Sequence, residues 1–247
     1  MAHLIRQQDR FQYPTIARVD SSTGRHYKVP GFENVPSVTT ILDRTKDKAK
    51  LQEWVDRVGQ KEADRIKSEA AYVGTCMHEV IECLLADEPL TLGQDWLALR
   101  GQHMAFSLIH TYFQHLGVVY GSEVALHYED RYAGTTDLVA EYRGKLAIVD
   151  FKQSIKPKRH EWITDYYHQL AAYACAHDWM FSTKIEFAAV LVAVQDGTTQ
   201  EFTTAGREFE DYKAAWWERV KWMEFAVICP STQQVASAGP VAVPPSR

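Results

Sequence analysis

The chain is short of several things, and each shortage removes a class of protein. Its 247 residues hold four cysteines, Cys76, Cys83, Cys175 and Cys229, with no CxxC pair and no zinc-ligand spacing. Reduced thiols are the expectation, not a disulfide framework or a structural zinc. An iron–sulfur cluster, which needs converging thiolates, is not expected either. No apolar run approaches the roughly 18 residues of a membrane helix, and no basic stretch followed by an apolar segment opens the chain. A cytoplasmic protein with no membrane partner is therefore expected. Basic charge is not in excess: 27 Lys and Arg face 32 Asp and Glu, for a net charge of −5. A general polyanion binder is disfavoured, and a nucleic-acid enzyme with this balance has to segregate a basic track from an acidic pocket. No internal repeat is visible.

What is present is enough for a sizeable core. At 46% hydrophobic and 24% charged residues, the composition fits one large domain or a domain with an appendage. Seven Trp and 12 Tyr suit either aromatic core packing or base-stacking surfaces. In chain order, Tyr13 to Val19 and His26 to Val29 read as an N-terminal hairpin around the turn-forming run Asp20-Ser21-Ser22-Thr23-Gly24. Pro36 and Ser37 suit a helix start, with Ser37 as N-cap. Residues 61 to 86 show a three-to-four apolar spacing, with Gly74 as a site of close packing or a bend. Asp95 to Leu116 is a second amphipathic helix, closed by Gly117.

The period then changes to two. Val118 to Tyr128, Gly134 to Tyr142 and Lys145 to Gln153 read as an antiparallel meander with tight connections. Glu161 to Trp179 is helical, and Ile185 to Val194 is apolar on both faces, as a central buried strand would be. Thr199 to Thr203 is a further strand and Arg207 to Val227 a last helix. From Pro230 the composition is that of a disordered tail. The order helix, three strands, helix, strand makes this an α/β fold with helices on the sheet faces.

Within the meander, Asp150 and Lys152 lie two apart and emerge on one strand face, after the buried-strand run Leu146-Ala147-Ile148-Val149. An internal ion pair explains that spacing by itself. Asp137 on the preceding strand adds a second carboxylate at neighbouring-strand distance. Like charges that close call for a cation between them, with Mg²⁺ or Mn²⁺ the suited ions. His78 and Glu82, at i and i+4, are either a surface pair or a nitrogen ligand with its orienting acid. Glu79 is a further candidate for that outer role. Gln169 and Tyr173 share one helical face. Lys46, Lys48 and Lys50, with Trp54 after them, are either a solvated basic face or a phosphate-contacting element. Lys156, Lys158 and Arg159 carry the same two readings.

Together, Gly134-x-x-Asp137, Asp150-Phe151-Lys152 and Gln169-x-x-x-Tyr173, preceded by Gly74-Thr75-x-x-His78, resemble the RecB-like branch of the PD-(D/E)XK nucleases. Val35-Pro36-Ser37-Val38-Thr39 and Asp150 to Pro157 resemble, within that branch, the mitochondrial genome maintenance exonuclease group and its phage-encoded relatives. The similarity runs from about residue 35 to 195. It implies a restriction-endonuclease-like core with extra helices. Residues 61-228 would be that core, 1-60 an N-terminal extension able to gate DNA, and 229-247 the tail. It implies metal ligation by His78, Asp137, Asp150 and the Phe151 carbonyl, with Lys152 activating the attacking water. Gln169 and Tyr173 would support the site, and Ser154 with the following basic residues would contact DNA. Position 153 departs from the pattern, with Gln where that branch often has a small hydroxyl residue.

The expectation is thus a metal-dependent DNA exonuclease acting on single strands or ends. It would serve replication or recombination beside the proteins of those pathways, in the host cytoplasm if phage-encoded. The alternatives are an endonuclease or duplex-resecting enzyme of the same fold, and an inactive DNA-binding scaffold.

Overall fold

The computed structural model describes residues 4–22 and 24–228. The tail expected from residue 229, and Cys229 within it, lie outside the described residues. Among the described residues, nine strands form two sheets. The main sheet comprises β1 (Ile5–Arg6), β5 (Leu116–Tyr128), β6 (Tyr132–Tyr142), β7 (Lys145–Ser154), β8 (Phe187–Val194) and β9 (Thr199–Ala205), side by side in that order. The small sheet contains β2 (Ala17–Ser21), β3 (Gly24–Val29) and β4 (Phe32–Pro36).

The meander is antiparallel throughout. Positive φ at Glu129, Arg143 and Gly144 lets the chain reverse tightly between its strands. β7 and β8 are parallel, so a crossover must join them, and α5 (Thr164–Phe181) supplies it. Every residue of β8 is buried, as its two-sided apolar run requires. Ala188, Val190, Val192 and Val194 pack with α5 and α6 (Gly206–Ile228); Phe187, Ala189, Leu191 and Ala193 face α3 (Gln60–Ala86) and α4 (Trp96–Tyr112). The core is therefore two apolar layers with the sheet between them. Among the described residues, no helix is long and apolar enough to cross a membrane.

Four local expectations are corrected. The N-terminal hairpin is a three-stranded sheet, because Pro30 and Gly31 (φ +84°) turn the chain so that Phe32–Pro36 pairs with β3. Ser37 does cap α1 (Val38–Thr45), accepting from the Thr40 N–H at 2.9 Å, but Pro36 still belongs to the strand. Gly117 does not close a helix: a turn of 3₁₀ geometry at Phe113–His115 ends α4, and Gly117 lies in β5. The tight glycine is Gly101, not Gly74. A Cβ at Gly101 would stand 2.5 Å from the Val73 carbonyl oxygen of α3, whereas one at Gly74 would meet only the Gln153 side chain at 3.8 Å.

The small sheet is tied to the large one near the centre of the molecule. Ser37 bridges to Ala133 in parallel fashion, and the Tyr27 hydroxyl lies 3.4 Å from the Thr135 hydroxyl. Between α1 and α3 runs α2 (Ala49–Val58), and Gly59 (φ +84°) makes the break between α2 and α3.

Candidate active site

Asp137 lies one residue beyond the ladder pair Leu138–Val149, so it stands across from Asp150 at the end of the β6–β7 ladder. Its carboxylate replaces the missing ladder bond: Oδ2 accepts from the Phe151 N–H at 2.8 Å. That bond fixes the side chain where the β6–β7 ladder stops, within β6 itself. His78, on α3, brings Nδ1 to 3.7 Å from the same oxygen.

Asp150 and Lys152 share a face of β7 as their spacing predicts. Lys152 Nζ is 2.5 Å from Asp150 Oδ2, and Asp150 is only 1% exposed. Neither Asp150 oxygen has a hydrogen bond of ordinary geometry. Burial pushes the Asp150 carboxyl up to about 6, against the pull of Lys152. Burial also pulls the Lys152 ammonium down, but Asp150 and Asp137 more than reverse this, so its pKa ends raised. The Tyr166 ring lies 5.5 Å from Nζ and covers the ammonium, a contact that the sequence pattern did not suggest.

Glu123 is a candidate site residue that the sequence reading did not include. It lies on β5 between Ser122, which pairs with Leu138, and Val124, which pairs with Thr136, so it stands beside Asp137. Its φ of +51° breaks the strand's regular alternation. Its Oε1 is 3.9 Å from His78 Nδ1. Burial, with Asp137 and Glu82 beside it, pushes its carboxyl up to about 9. His78, Glu123 and Asp137 each offer a ligand atom, and these atoms lie within 4.8 Å of one another. One imidazole with two carboxylates forms a donor set suited to a hard divalent cation, and the buried Asp150, ion-paired with Lys152, stands across from Asp137.

Gln169 and Tyr173 meet through a 3.5 Å contact on α5. Burial raises the Tyr173 pKa well above the ordinary phenol value. The tyrosine ring explains Gly134 in the Gly-x-x-Asp run: a Cβ there would stand 2.8 Å from Tyr173 Cε1. Gln153, the departure from the family pattern, donates its amide to the Ala70 carbonyl at 3.2 Å and so ties β7 to α3.

A cavity of about 540 Å³ opens over this centre. It is lined by His78, Glu79, Glu82, Glu123 and Asp137. Gln169 and Tyr173 lie on one flank, and Arg18, Arg25 and Tyr27 of the small sheet also line it. The basic residues singled out in the sequence lie elsewhere. Lys46 and Lys48 both pair with Asp43, Lys50 is exposed near the start of α2, and Trp54 is half-buried on that helix. Ser154 donates to the Lys156 carbonyl. Lys158 is bound through its backbone to Gln200, and burial lowers its pKa. Arg159 lies over Trp162.

The family that the chain matches is the PD-(D/E)XK nuclease superfamily. The model of that family matches residues 36–234, and the chain belongs to it. Among curated proteins, the chain is 31% identical over 182 residues to the Homo sapiens mitochondrial genome maintenance exonuclease 1, covering 69% of this chain and 53% of that one. The Mus musculus protein is 32% identical over 186 residues, with the same coverage. The Xenopus tropicalis protein is 30% identical over 176 residues, covering 66% of this chain and 50% of that one. The chain spans about half the length of the curated relatives it matches.

Proposed function

We propose that the chain is a divalent-metal-dependent deoxyribonuclease, an exonuclease working on single-stranded DNA or DNA ends in replication or recombination. The observation that carries this reading is the buried Asp150, with both oxygens lacking ordinary hydrogen bonds, across from Asp137 of the His78–Glu123–Asp137 cluster and beside Lys152. A buried carboxylate left so poorly satisfied is costly. A DNA-binding scaffold would have no use for it, whereas a cation would satisfy it.

Mg²⁺ or Mn²⁺ held by these residues would lower the pKa of a bound water and draw charge from the phosphate oxygens. The protein's own groups do the rest. The Phe151 N–H holds Asp137 in one orientation, and its carbonyl is part of the proposed ligand set. Glu79 and Glu82 orient His78 and Glu123 from the cavity lining. Lys152 keeps its proton and presents fixed positive charge where the phosphorane develops. Tyr166 limits the ammonium's freedom, and Tyr173 with Gln169 walls the scissile position. Ser154, Lys156, Lys158 and Arg159, with Lys46, Lys48, Lys50 and Trp54, are the proposed outer DNA contacts.

The test is digestion of 5′- and 3′-labelled single strands with Mg²⁺, Mn²⁺ or EDTA. We expect metal-dependent release from one end, and at least about a 100-fold loss in Lys152→Ala and Asp150→Asn. Parent-like digestion by either variant, or product in EDTA, would sink the reading. Rapid cutting of strands with bulky blocks on both ends would favour the endonuclease.

A further inference from the structure

The small sheet lends Arg18, Arg25 and Tyr27 to the cavity, and their chemistry is unlike that of the acidic residues lining the same space. Arg18 and Asp20 lie two apart on β2 and so share a side, with Arg25 paired directly across from Asp20. Both guanidinium groups converge on the one carboxylate. Arg18 Nε and Nη2 reach Asp20 Oδ2 at 2.9 and 2.8 Å, and Arg25 Nε reaches Oδ1 at 3.0 Å. Two cations on one anion leave a net positive charge in the lining of the cavity that His78, Glu123 and Asp137 also line.

Arg25 is held firmly. Its backbone N–H donates to Thr40 Oγ1 at 2.9 Å, and the same hydroxyl donates back to the Arg25 carbonyl at 2.8 Å. Thr40 is buried in the first turn of α1, against the Ser37 cap. Arg18 is anchored through its neighbour across the sheet: it pairs with Tyr27, whose hydroxyl meets Thr135 two residues before Asp137. The arginines are therefore registered to the strand that bears Asp137 through two short paths, while their heads remain partly exposed at 50% and 35%.

We propose that Arg18 and Arg25 form the seat for a backbone phosphate of the bound strand, in the same cavity as the scissile bond, and that Asp20 occupies this seat until DNA displaces it. A pair of guanidiniums that brackets two carboxylate oxygens also suits the two non-bridging oxygens of a phosphodiester. Exposed ion pairs of this kind are weak in water, so the exchange costs little. The proposal rests on the nuclease reading for the identity of the ligand.

The test separates the two. Binding of a labelled single-stranded oligonucleotide is measured by anisotropy in Ca²⁺, and cleavage in Mg²⁺, across a salt series. Arg18→Ala and Arg25→Ala are each expected to weaken binding about tenfold and to lower the salt slope by about 0.7. KM should rise with kcat little changed. Asp20→Asn, which keeps the shape and removes the competing anion, is expected to tighten binding several-fold. Lys221→Ala on α6 removes the same charge outside the cavity and serves as the reference. If Asp20→Asn lowers only Tm and the arginine variants bind like the reference, the trio is a structural staple and the seat is overturned. A parent that fails to bind overturns it as well. A parent that binds with these responses but cleaves nothing overturns the nuclease reading and leaves the seat standing.

Discussion

A single hydrogen atom decides how the Gly134–Tyr173 contact is built. With a Cβ at Gly134 only 2.8 Å from the Tyr173 ring, Gly134→Ala has to push that ring away from the cavity. We expect a folded variant, destabilised by about 1–3 kcal/mol, in which cleavage falls further than Tm alone would suggest. Thermal melts beside single-turnover rates check this, and parent-like rates would show that the ring position is immaterial. The residues of this site differ in how legible they were. Asp137, Asp150 and Lys152 could be read because regular strands alternate strictly and a short turn makes two strands neighbours. Glu123 could not, since its left-handed φ lies inside a strand and no composition rule marks that irregularity. Arg18 and Arg25 were hidden in a hairpin whose third strand, and whose docking onto β6, are tertiary facts.

Elements succeed or fail here by how closely they approach. α3 carries His78 to the strands that bear Glu123 and Asp137, and α4 presses against α3 through Gly101, where no side chain intervenes. Gly101→Ala would drive a methyl into the Val73 carbonyl and the Cys76 side chain, both too near to yield cheaply. The expected result is a loss of roughly 2–3 kcal/mol in urea unfolding and a weaker Mn²⁺ dependence, because α3 must shift with its histidine. A variant with unchanged unfolding midpoint would mean that the helices part without cost. Helices of this length are readable from apolar spacing, which is why the sequence-based bounds of α3 fall within a residue of the structure. Their mutual distance is not readable, because a glycine in a helical pattern reports only a missing side chain. Gly74 was the glycine marked in the sequence, and packing singles out Gly101 in the facing helix instead.

At the scale of the molecule, the N-terminal arm is locked onto the α5 end of the fold around His177. This imidazole is fully buried, 2.7 Å from the Thr183 hydroxyl and 3.2 Å from the Tyr13 hydroxyl, with Phe11 and Phe181 packed on its ring. Burial lowers its pKa to about 4 from an ordinary 6.5. The neutral form is favoured on folding, so the unfolded chain takes up the proton first as pH falls. Stability from this residue is full above pH 6.5 and is lost between 6.5 and about 4, by up to about 3 kcal/mol. Urea midpoints of the parent and of His177→Gln across that window provide the check. An equally steep fall in both proteins would assign the acid sensitivity elsewhere.

The meander that carries three of the acids has one more consequence, in the statistics of the chain. Glu123, Asp137 and Asp150 are separated by fewer than fifteen residues at each step, so closing the loops between them costs little conformational entropy. His78 joins from 45 residues upstream. Loop-closure entropy grows only logarithmically, so this longer step adds only about 1 kcal/mol. Lengthening the Asp87–Gln94 connection by ten residues would add on the order of 0.2 kcal/mol more. The geometry of the proposed cation site is thus nearly indifferent to how much polypeptide is threaded between its histidine and its carboxylates, and that connection is where new sequence can be accommodated without spreading the cluster apart.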